Sequence, residues 1–335
     1  MPALLNLDHV GVSLPGAAGR VDVLSDVSLT AEAGEVVGIA GESGSGKSMT
    51  GRALLGLLPD GAEVRGRVEL GGRDLLSVPA RERRALRGGR IAMVFQDPTA
   101  ALHPMLTVGS QLTEHMRRHL GLSKRDATTR ARDLLTEVRI PDPGRALHSF
   151  PHQFSGGMRQ RIAIAIALAA DPQVLVADEP TTALDVTVQA GILHLFDRLA
   201  RERGLTVLFI THDLGVLAAL AHRTYVFYAG RVAETGRTAD LLRSSRHPYT
   251  TALLSARPEV SEGGEPGELR PIAGVPASAV TAPPGCPFAP RCPDRVEACG
   301  SAPPPLVRVP RTDDPQHLAA CVVHSPAEVR VGADR

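Results

Sequence analysis

The sequence lacks an excess of charge of either sign: basic and acidic residues nearly cancel, and the formal net charge is +1. A balance of this kind makes no field for attracting nucleic acid, so none is expected as a partner. Long apolar runs are missing too. The longest small-apolar stretch, Ile162 to Ala170, falls far short of the roughly 20 residues that a spanning helix requires. The first residues, Met1, Pro2 and Ala3, open no charged segment followed by an apolar one and a cleavage site, so no secretory signal is read there. These absences predict a cytoplasmic chain that reaches a membrane only through a partner. Internal repeats are absent as well. What remains is 335 residues, 43% apolar and 22% charged, the composition of an ordinary globular protein with room for one large domain and a smaller appendage.

Short β-prone runs broken by glycine fill the stretch from Leu4 to about Pro59. Within it, Glu35-Val36-Val37-Gly38-Ile39-Ala40 reads as a buried strand that leads into a Gly-rich turn and a helix from Lys47. Val68–Leu70 and Ile91–Phe95 are further strand candidates, and Leu106 to Arg139 carries a helical pattern. A second α/β stretch follows, with strands at Val174–Ala177, Leu205–Ile210 and Thr224–Tyr228 and a helix near Val186–Arg203. Strands alternating with helices predict an α/β fold with a mainly parallel sheet. After about Pro258 the composition shifts to Pro, Gly and Ala with little periodicity, and all four cysteines lie there. A boundary is therefore expected between a domain of residues 1–257 and a C-terminal region of 258–335, with a helical subdomain at about 98–168 inside the first.

The segment Gly41-Glu42-Ser43-Gly44-Ser45-Gly46-Lys47-Ser48 fits the phosphate-loop pattern G-x-x-x-x-G-K-[ST], in the strand-to-helix context that pattern requires. Its glycines let backbone N–H groups surround phosphate oxygens, and the following helix adds its positive dipole end. Lys47 can neutralise the β- and γ-phosphates and the Ser48 hydroxyl can ligate Mg²⁺. Further along, the apolar run Val174–Ala177 ends in Asp178-Glu179. Beside a phosphate loop, two acids at a strand end suit metal-assisted phosphoryl transfer: Asp178 holds Mg²⁺ and Glu179 polarises the attacking water. His212 follows the strand Leu205–Ile210 and Gln96 follows Ile91–Phe95. Both stand where a side chain at a strand end can reach the γ-phosphate, the water or, for Gln96, the Mg²⁺. A lone surface His among twelve, or an isolated Gln, would carry little weight by itself.

Taken together these residues resemble the ATP-binding-cassette (ABC) family. Phe154-Ser155-Gly156-Gly157-Met158-Arg159-Gln160 looks like its signature, just before a helix expected from Arg159. Ser155 with the N–H groups of Gly156 and Gly157 makes an anion site at a helix start, and the resemblance assigns that site to the ATP held by a partner cassette. Ala183-Leu184-Asp185 is similar to the family's D-loop, and Gln96 and His212 match its Q-loop and switch histidine. The resemblance covers about residues 4 to 240. It implies a P-loop ABC nucleotide-binding domain with a mainly parallel core sheet, an antiparallel β-subdomain and a helical signature subdomain. Two such cassettes close head-to-tail around two ATPs and drive membrane subunits. Because residue 179 is Glu, this chain's own loop is expected to sit in a hydrolysing site. One departure stands out: many members stack adenine on an upstream aromatic residue, and none occurs between Met1 and Ser48. Val21 is the apolar candidate there.

His247-Pro248-Tyr249-Thr250-Thr251-Ala252-Leu253-Leu254 and the tail's Gly285-Cys286-Pro287-Phe288 with Arg291-Cys292-Pro293 are similar to segments of ATPases from oligopeptide, dipeptide and nickel importers. Cys286, Cys292, Cys299 and Cys321 are clustered thiols in a chain expected in a reducing compartment, which suggests a metal site rather than disulfides. Four thiolates hold zinc or an iron–sulfur cluster, and the spacing fits neither common pattern. The resemblance implies a [4Fe–4S] cluster, with zinc and unmetallated thiols as alternatives, in a structural role. It also implies a peripheral ATPase at the cytoplasmic face of the membrane, with two integral permease subunits, an extracytoplasmic solute-binding protein and a second, different ATPase subunit. The solute is expected to be a peptide, with another small solute such as nickel as the alternative. A soluble non-transport cassette and a non-hydrolysing regulatory subunit are the rival readings. The single phosphate loop without a heptad stretch weighs against the first, and Glu179 and His212 weigh against the second.

Overall fold

A computed structural model of the chain describes residues 3–17, 19–182, 184–256, 271–310, 312 and 314–324. Strands β1 (Leu5–Gly16) and β2 (Gly19–Ala31) form one long antiparallel hairpin where the sequence pattern suggests only short runs. Bulges explain the difference: the register shifts between Leu7 and Ser13, and His9 and Asp26 adopt positive φ of 48° and 58° there. Each bulge breaks the alternation without ending the strand. After β3 (Val36–Ala40) and α1 (Lys47–Leu55), β4 (Glu63–Leu70) returns to pair antiparallel with β1, and β5 (Arg73–Asp74) completes a sheet of order β2-β1-β4-β5.

The second sheet gathers the apolar runs. Helix α2 (Ala80–Leu86) and β6 (Ile91–Val94) precede a helical stretch of α3 (Pro98–Ala101), α4 (Val108–Leu120), α5 (Lys124–Glu137), α6 (Pro143–Ala146) and α7 (Gly156–Leu168). Then come β7 (Val174–Asp178), α8 (Val186–Arg203), β8 (Thr206–Ile210), α9 (Leu214–Leu220), β9 (Arg223–Tyr228) and β10 (Arg231–Arg237). Helices α10 (Thr238–Ser244) and α11 (Pro248–Ser255) and two short strands, β11 (Val307–Arg308) and β12 (Leu318–Ala319), finish the described chain. The sheet order is β11-β12-β10-β9-β3-β8-β7-β6. Its centre is parallel, from β9 through β3, β8 and β7 to β6, and its β10–β12 edge is antiparallel.

The fully buried central strands read as continuous apolar runs because both faces are covered. Val207 and Phe209 of β8 face one core, which the helices cover, while Leu208 and Ile210 face the other, which the antiparallel sheet covers. Strand β7 divides in the same way, Leu175 and Ala177 against Val174 and Val176. In the first core, Phe196 of α8 meets Phe209 edge-on at 5.3 Å, a geometry that adds to simple burial.

Among its described residues the C-terminal region has no core of its own; its buried apolar side chains join the cassette's. Phe288 is buried against Tyr228 and Tyr249 at 5.4 and 5.3 Å, and β12 extends the sheet through β10. Two polar pins fasten it further. The ring Nε2 of His317 lies 2.7 Å from Glu234 Oε1 with both side chains fully buried, and Asp314 accepts from the Arg237 N–H at 2.7 Å. Glu234 also accepts from the N–H groups of Arg246 and His247, so the strand, the α11 entry and the tail share one carboxylate. The expected boundary at 257/258 lies outside the described residues.

Candidate nucleotide-binding site

Four parallel strands deliver the predicted residues to one edge of the sheet. Strand β3 runs into the phosphate loop, β6 toward Gln96, β7 into Asp178-Glu179, and β8 toward His212. The carboxyl ends of parallel strands form the crevice where ligands of such sheets bind. A cleft of about 540 Å³ opens there, lined by Val23, Ser43 to Arg52 except Thr50 and Gly51, Gln96, Glu179, His212 and Ser278 to Val280. A more apolar cavity between Tyr228, His247, Phe288 and Leu318 offers no backbone nest for phosphates.

Two glycines of the loop are required by geometry. Gly41 has φ of +145°, and a Cβ there would lie 2.3 Å from the Phe227 carbonyl oxygen. Gly46 has φ of +104° and would meet Leu24 Cδ2 at 2.7 Å. The loop can therefore curl tightly between β3 and α1 only with hydrogen at these positions. Lys47 folds back across it, donating to the carbonyl oxygens of Gly41 and Glu42 at 2.7 and 2.8 Å. An ammonium has three donors, so one remains for a phosphate oxygen. Burial pulls the Lys47 pKa down, while Glu179, Asp178 and Glu42 oppose that.

Ser48 donates to Asp178 Oδ1 at 2.8 Å, which brings together two of the three groups expected at Mg²⁺. Burial raises the Asp178 pKa, against the Ser48 hydrogen bond, with Glu179 adding to the rise and Arg52 and Lys47 opposing it. The third, Gln96, is placed differently: its amide Nε2 donates to Glu179 Oε2 at 3.1 Å. Thr182 Oγ1 donates to the same oxygen at 2.9 Å, and His212 Nδ1 lies 3.4 Å from Oε1. Glu179 itself has φ of +46°, a conformation that costs a non-glycine residue about 1–3 kcal/mol and persists where neighbours over-determine it. Its N–H donates to the Ile210 carbonyl at 2.9 Å, which ties the strained residue to the next strand. Thr182 was not read from the sequence; a Thr three residues past an acid in a turn is too common a pattern to single out.

The signature stands apart from this cleft. Helix α7 begins at Gly156, three residues earlier than the sequence suggests, because Ser155 caps it and accepts from the Met158 N–H at 3.4 Å. Gly157 is the close approach: a Cβ there would meet Val188 Cγ1 at 2.6 Å. Asp185 caps α8, accepting from the Val188 N–H at 2.9 Å; Ala183 lies outside the described residues. Ser155, Gly156 and Asp185 are exposed, and none of Ser155, Gly156, Gly157 or Asp185 lines the chain's own phosphate-loop cleft. On the base side, Val23 and not Val21 lines the cleft; Val21 pairs with Leu14 near the end of the hairpin.

The four cysteines are unbonded to one another and come from three turns of the tail. The Cys286 N–H donates to the Cys299 carbonyl at 2.8 Å. Burial lifts the Cys286 thiol to about 11, with Cys299 and Cys321 close enough to add to the rise, and burial likewise raises Cys292 and Cys321. Among the described residues, however, no group of three or more His, Cys, Asp or Glu side chains is drawn tightly enough to hold a metal ion.

The match to known proteins is extensive. Residues 24–182 fit the model of the ABC transporter family, and residues 233–299 fit that of the oligopeptide/dipeptide transporter C-terminal region. The chain is 48% identical to the dipeptide transport ATP-binding protein DppD of Bacillus subtilis over 301 residues, 89% of each chain. The chain belongs to the ABC transporter ATP-binding proteins. The cassette is also 44% identical to the oligopeptide transport ATP-binding protein OppD of Salmonella typhimurium, over 90% of this chain and 89% of that one. Among solved structures, a dimeric ATP-binding cassette in a post-hydrolysis state with ADP and Pi superposes with a TM-score of 0.63 at 29% identity. It covers 70% of this chain and 98% of that one. No helix among the described residues is long and apolar enough to cross a membrane.

Proposed function

We propose that the chain is the ATP-hydrolysing subunit of a peptide importer, working at the cytoplasmic face of the membrane. The observation that carries the chemistry is the Glu179 carboxylate, held by Gln96 and Thr182 beside His212 at the mouth of the phosphate loop. The loop and Lys47 bind the triphosphate of MgATP, and Ser48 and Asp178 take the metal ion that arrives with it. Glu179 accepts the proton of the attacking water, while Gln96 and Thr182 fix its orientation. Peptide as the transported solute rests on the two relatives named above and on the match of residues 233–299 to the peptide-transporter C-terminal region.

The signature residues Ser155, Gly156 and Gly157, with Asp185, serve the ATP of a second cassette, as the exposure of Ser155, Gly156 and Asp185 and the absence of all four from the lining of the chain's own cleft favour. That second cassette is a different subunit, and the pair drives two membrane permeases fed by an extracytoplasmic binding protein. The helical stretch 98–168 carries the signature, and residues 258–335 form the importer-type C-terminal region. Cys286, Cys292, Cys299 and Cys321 hold a [4Fe–4S] cluster. What supports this reading is the sequence: four thiols lie in one tail, and three of them, Cys286, Cys292 and Cys299, fall in the stretch that matches the oligopeptide/dipeptide transporter C-terminal region. When bound the cluster supplies order to a tail with no core of its own.

Three measurements test this. Glu179→Gln is expected to lower ATP turnover about 10²–10⁴-fold while ATP still binds; turnover equal to the unmutated protein would remove Glu179 from its role. Mild-detergent purification from native membranes is expected to bring down two multi-spanning chains and a second cassette. A protein that stays soluble and alone keeps the ATPase chemistry and loses the transport role. Anaerobic purification should give a brown protein with about four irons per chain, colourless in Cys292→Ser.

A further inference from the structure

The phosphate end of the cleft is fully furnished, but its base end has no aromatic residue, since none precedes Ser48. What stands there comes from the C-terminal region. Ser278, Ala279 and Val280 line the same cleft as Val23 and the phosphate loop. Their placement is specified by several bonds. The Ala277 N–H donates to Tyr228 Oη at 3.1 Å. Ser278 and Thr281 close a turn, with the Ser278 N–H on Thr281 Oγ1 at 2.9 Å and the Thr281 N–H on the Ser278 carbonyl at 3.1 Å. Ala279 abuts Gly230, where a Cβ would lie 3.2 Å from its own, and the Gly230 N–H donates to the Ser45 carbonyl at 2.9 Å. The turn therefore rests on the floor of the phosphate loop.

A guanidinium fastens the segment. Arg291 donates to the carbonyl oxygens of Ala273 and Ile272 at 2.8 and 3.3 Å. It also forks onto Glu42, inside the phosphate loop, with contacts of 2.7 and 3.1 Å. A bidentate pair of this kind fixes orientation as well as distance. The Arg291 side chain is 3% exposed, and the Glu42 N–H donates to Tyr249 Oη at 2.8 Å, so neither partner is free to drift. Val280, by contrast, is 65% exposed: an apolar side chain held at the rim of a nucleotide cleft, facing water until something flat covers it.

We propose that Val280, backed by Ala279 and Val23, is the seat for the nucleobase of the bound nucleoside triphosphate, and that the Arg291–Glu42 fork sets its position over the phosphate loop. This rests on the nucleotide reading of the cleft. An aliphatic seat has no hydrogen-bonding group with which to read the base edge, so it favours bases by the apolar area they cover. ATP and GTP bind alike, and CTP and UTP bind more weakly.

The test is competition by ATP, GTP, CTP and inorganic tripolyphosphate against a ribose-labelled fluorescent ATP on the full-length protein. Val280→Ser is expected to weaken ATP about fivefold and leave tripolyphosphate unchanged, whereas Val280→Phe tightens ATP and widens the gap between purines and pyrimidines. Arg291→Lys keeps the charge without the fork and should shift ATP and not tripolyphosphate; if it fails to fold, the two exposed Val280 variants still decide. ATP affinity unchanged in both Val280 variants overturns the proposal and leaves the phosphate-loop reading standing. An unmutated protein that binds neither ATP nor tripolyphosphate overturns both.

Discussion

The phosphate end of the cleft hangs from four parallel strands lying side by side, while the base end combines Val23 of β2 with a segment outside the named strands and helices that Arg291 and Tyr228 tie down. At the first end, buried apolar strands bring Lys47, Gln96, Glu179 and His212 together as a by-product of core packing. Position there is as stable as the domain. At the second, polar contacts of Arg291 and Tyr228 add to the edge packing of Ile272, Ala277 and Ala282 on the core. The contrast teaches that the proposed catalytic groups are placed by the cooperative part of the fold, and the proposed base seat by pins that one substitution can draw.

That contrast can be broken at either end. Phe209→Ala removes an aromatic ring from β8, the strand that leads to His212, and should destabilise the whole cassette by about 3–5 kcal/mol in urea unfolding. A loss below about 1 kcal/mol would mean the strand-borne end is not held by the core. Arg291→Met strips the guanidinium from Glu42, whose side chain is 22% exposed. Stranding a half-buried carboxylate costs less than the 3–5 kcal/mol of a fully buried pair, so about 2 kcal/mol is expected. Limited proteolysis should then cut within 271–281 before it cuts the cassette; equal cutting rates would show that the fork pins nothing. Asp185→Ala loses the cap of α8 and should lower stability by about 1 kcal/mol, with no change in ATP affinity of the isolated chain because Asp185 does not line its cleft. Arg65→Ala breaks an ion pair to Asp22 whose side chains are 61% and 49% exposed, so solvent screening leaves an expected change within about 0.5 kcal/mol. A larger shift would show that the antiparallel sheet depends on its surface charges.

Much of the first end was legible in the sequence. The run Val36–Ala40 and helix Val186–Arg203 appear where periodicity puts them, because fully buried strands and amphipathic helices are local patterns. The long β1–β2 hairpin was not legible, since bulges at His9 and Asp26 interrupt the alternation that marks a strand. The start of α7 at Gly156 was hidden for a related reason: two glycines read as a loop until Val188 is seen packing against one of them. Val21 is as apolar as Val23, and only the course of the hairpin, with Val21 paired to Leu14 nearer its turn, decides which of them reaches the cleft.

From the sequence alone come the chemistry and its order along the chain. The glycines, Lys47 and Ser48, the acids after an apolar strand, and the histidine after another are local patterns on which the proposed phosphate binding and phosphoryl transfer rest. Only the tertiary structure decided that Gln96 and Thr182 share one oxygen of Glu179, that the signature does not line the cleft of its own loop, and that Arg291 reaches back 249 positions to Glu42. The reason is physical: covalent spacing constrains residues a few positions apart, whereas contacts across the chain exist only once strand order and burial have chosen which surfaces meet.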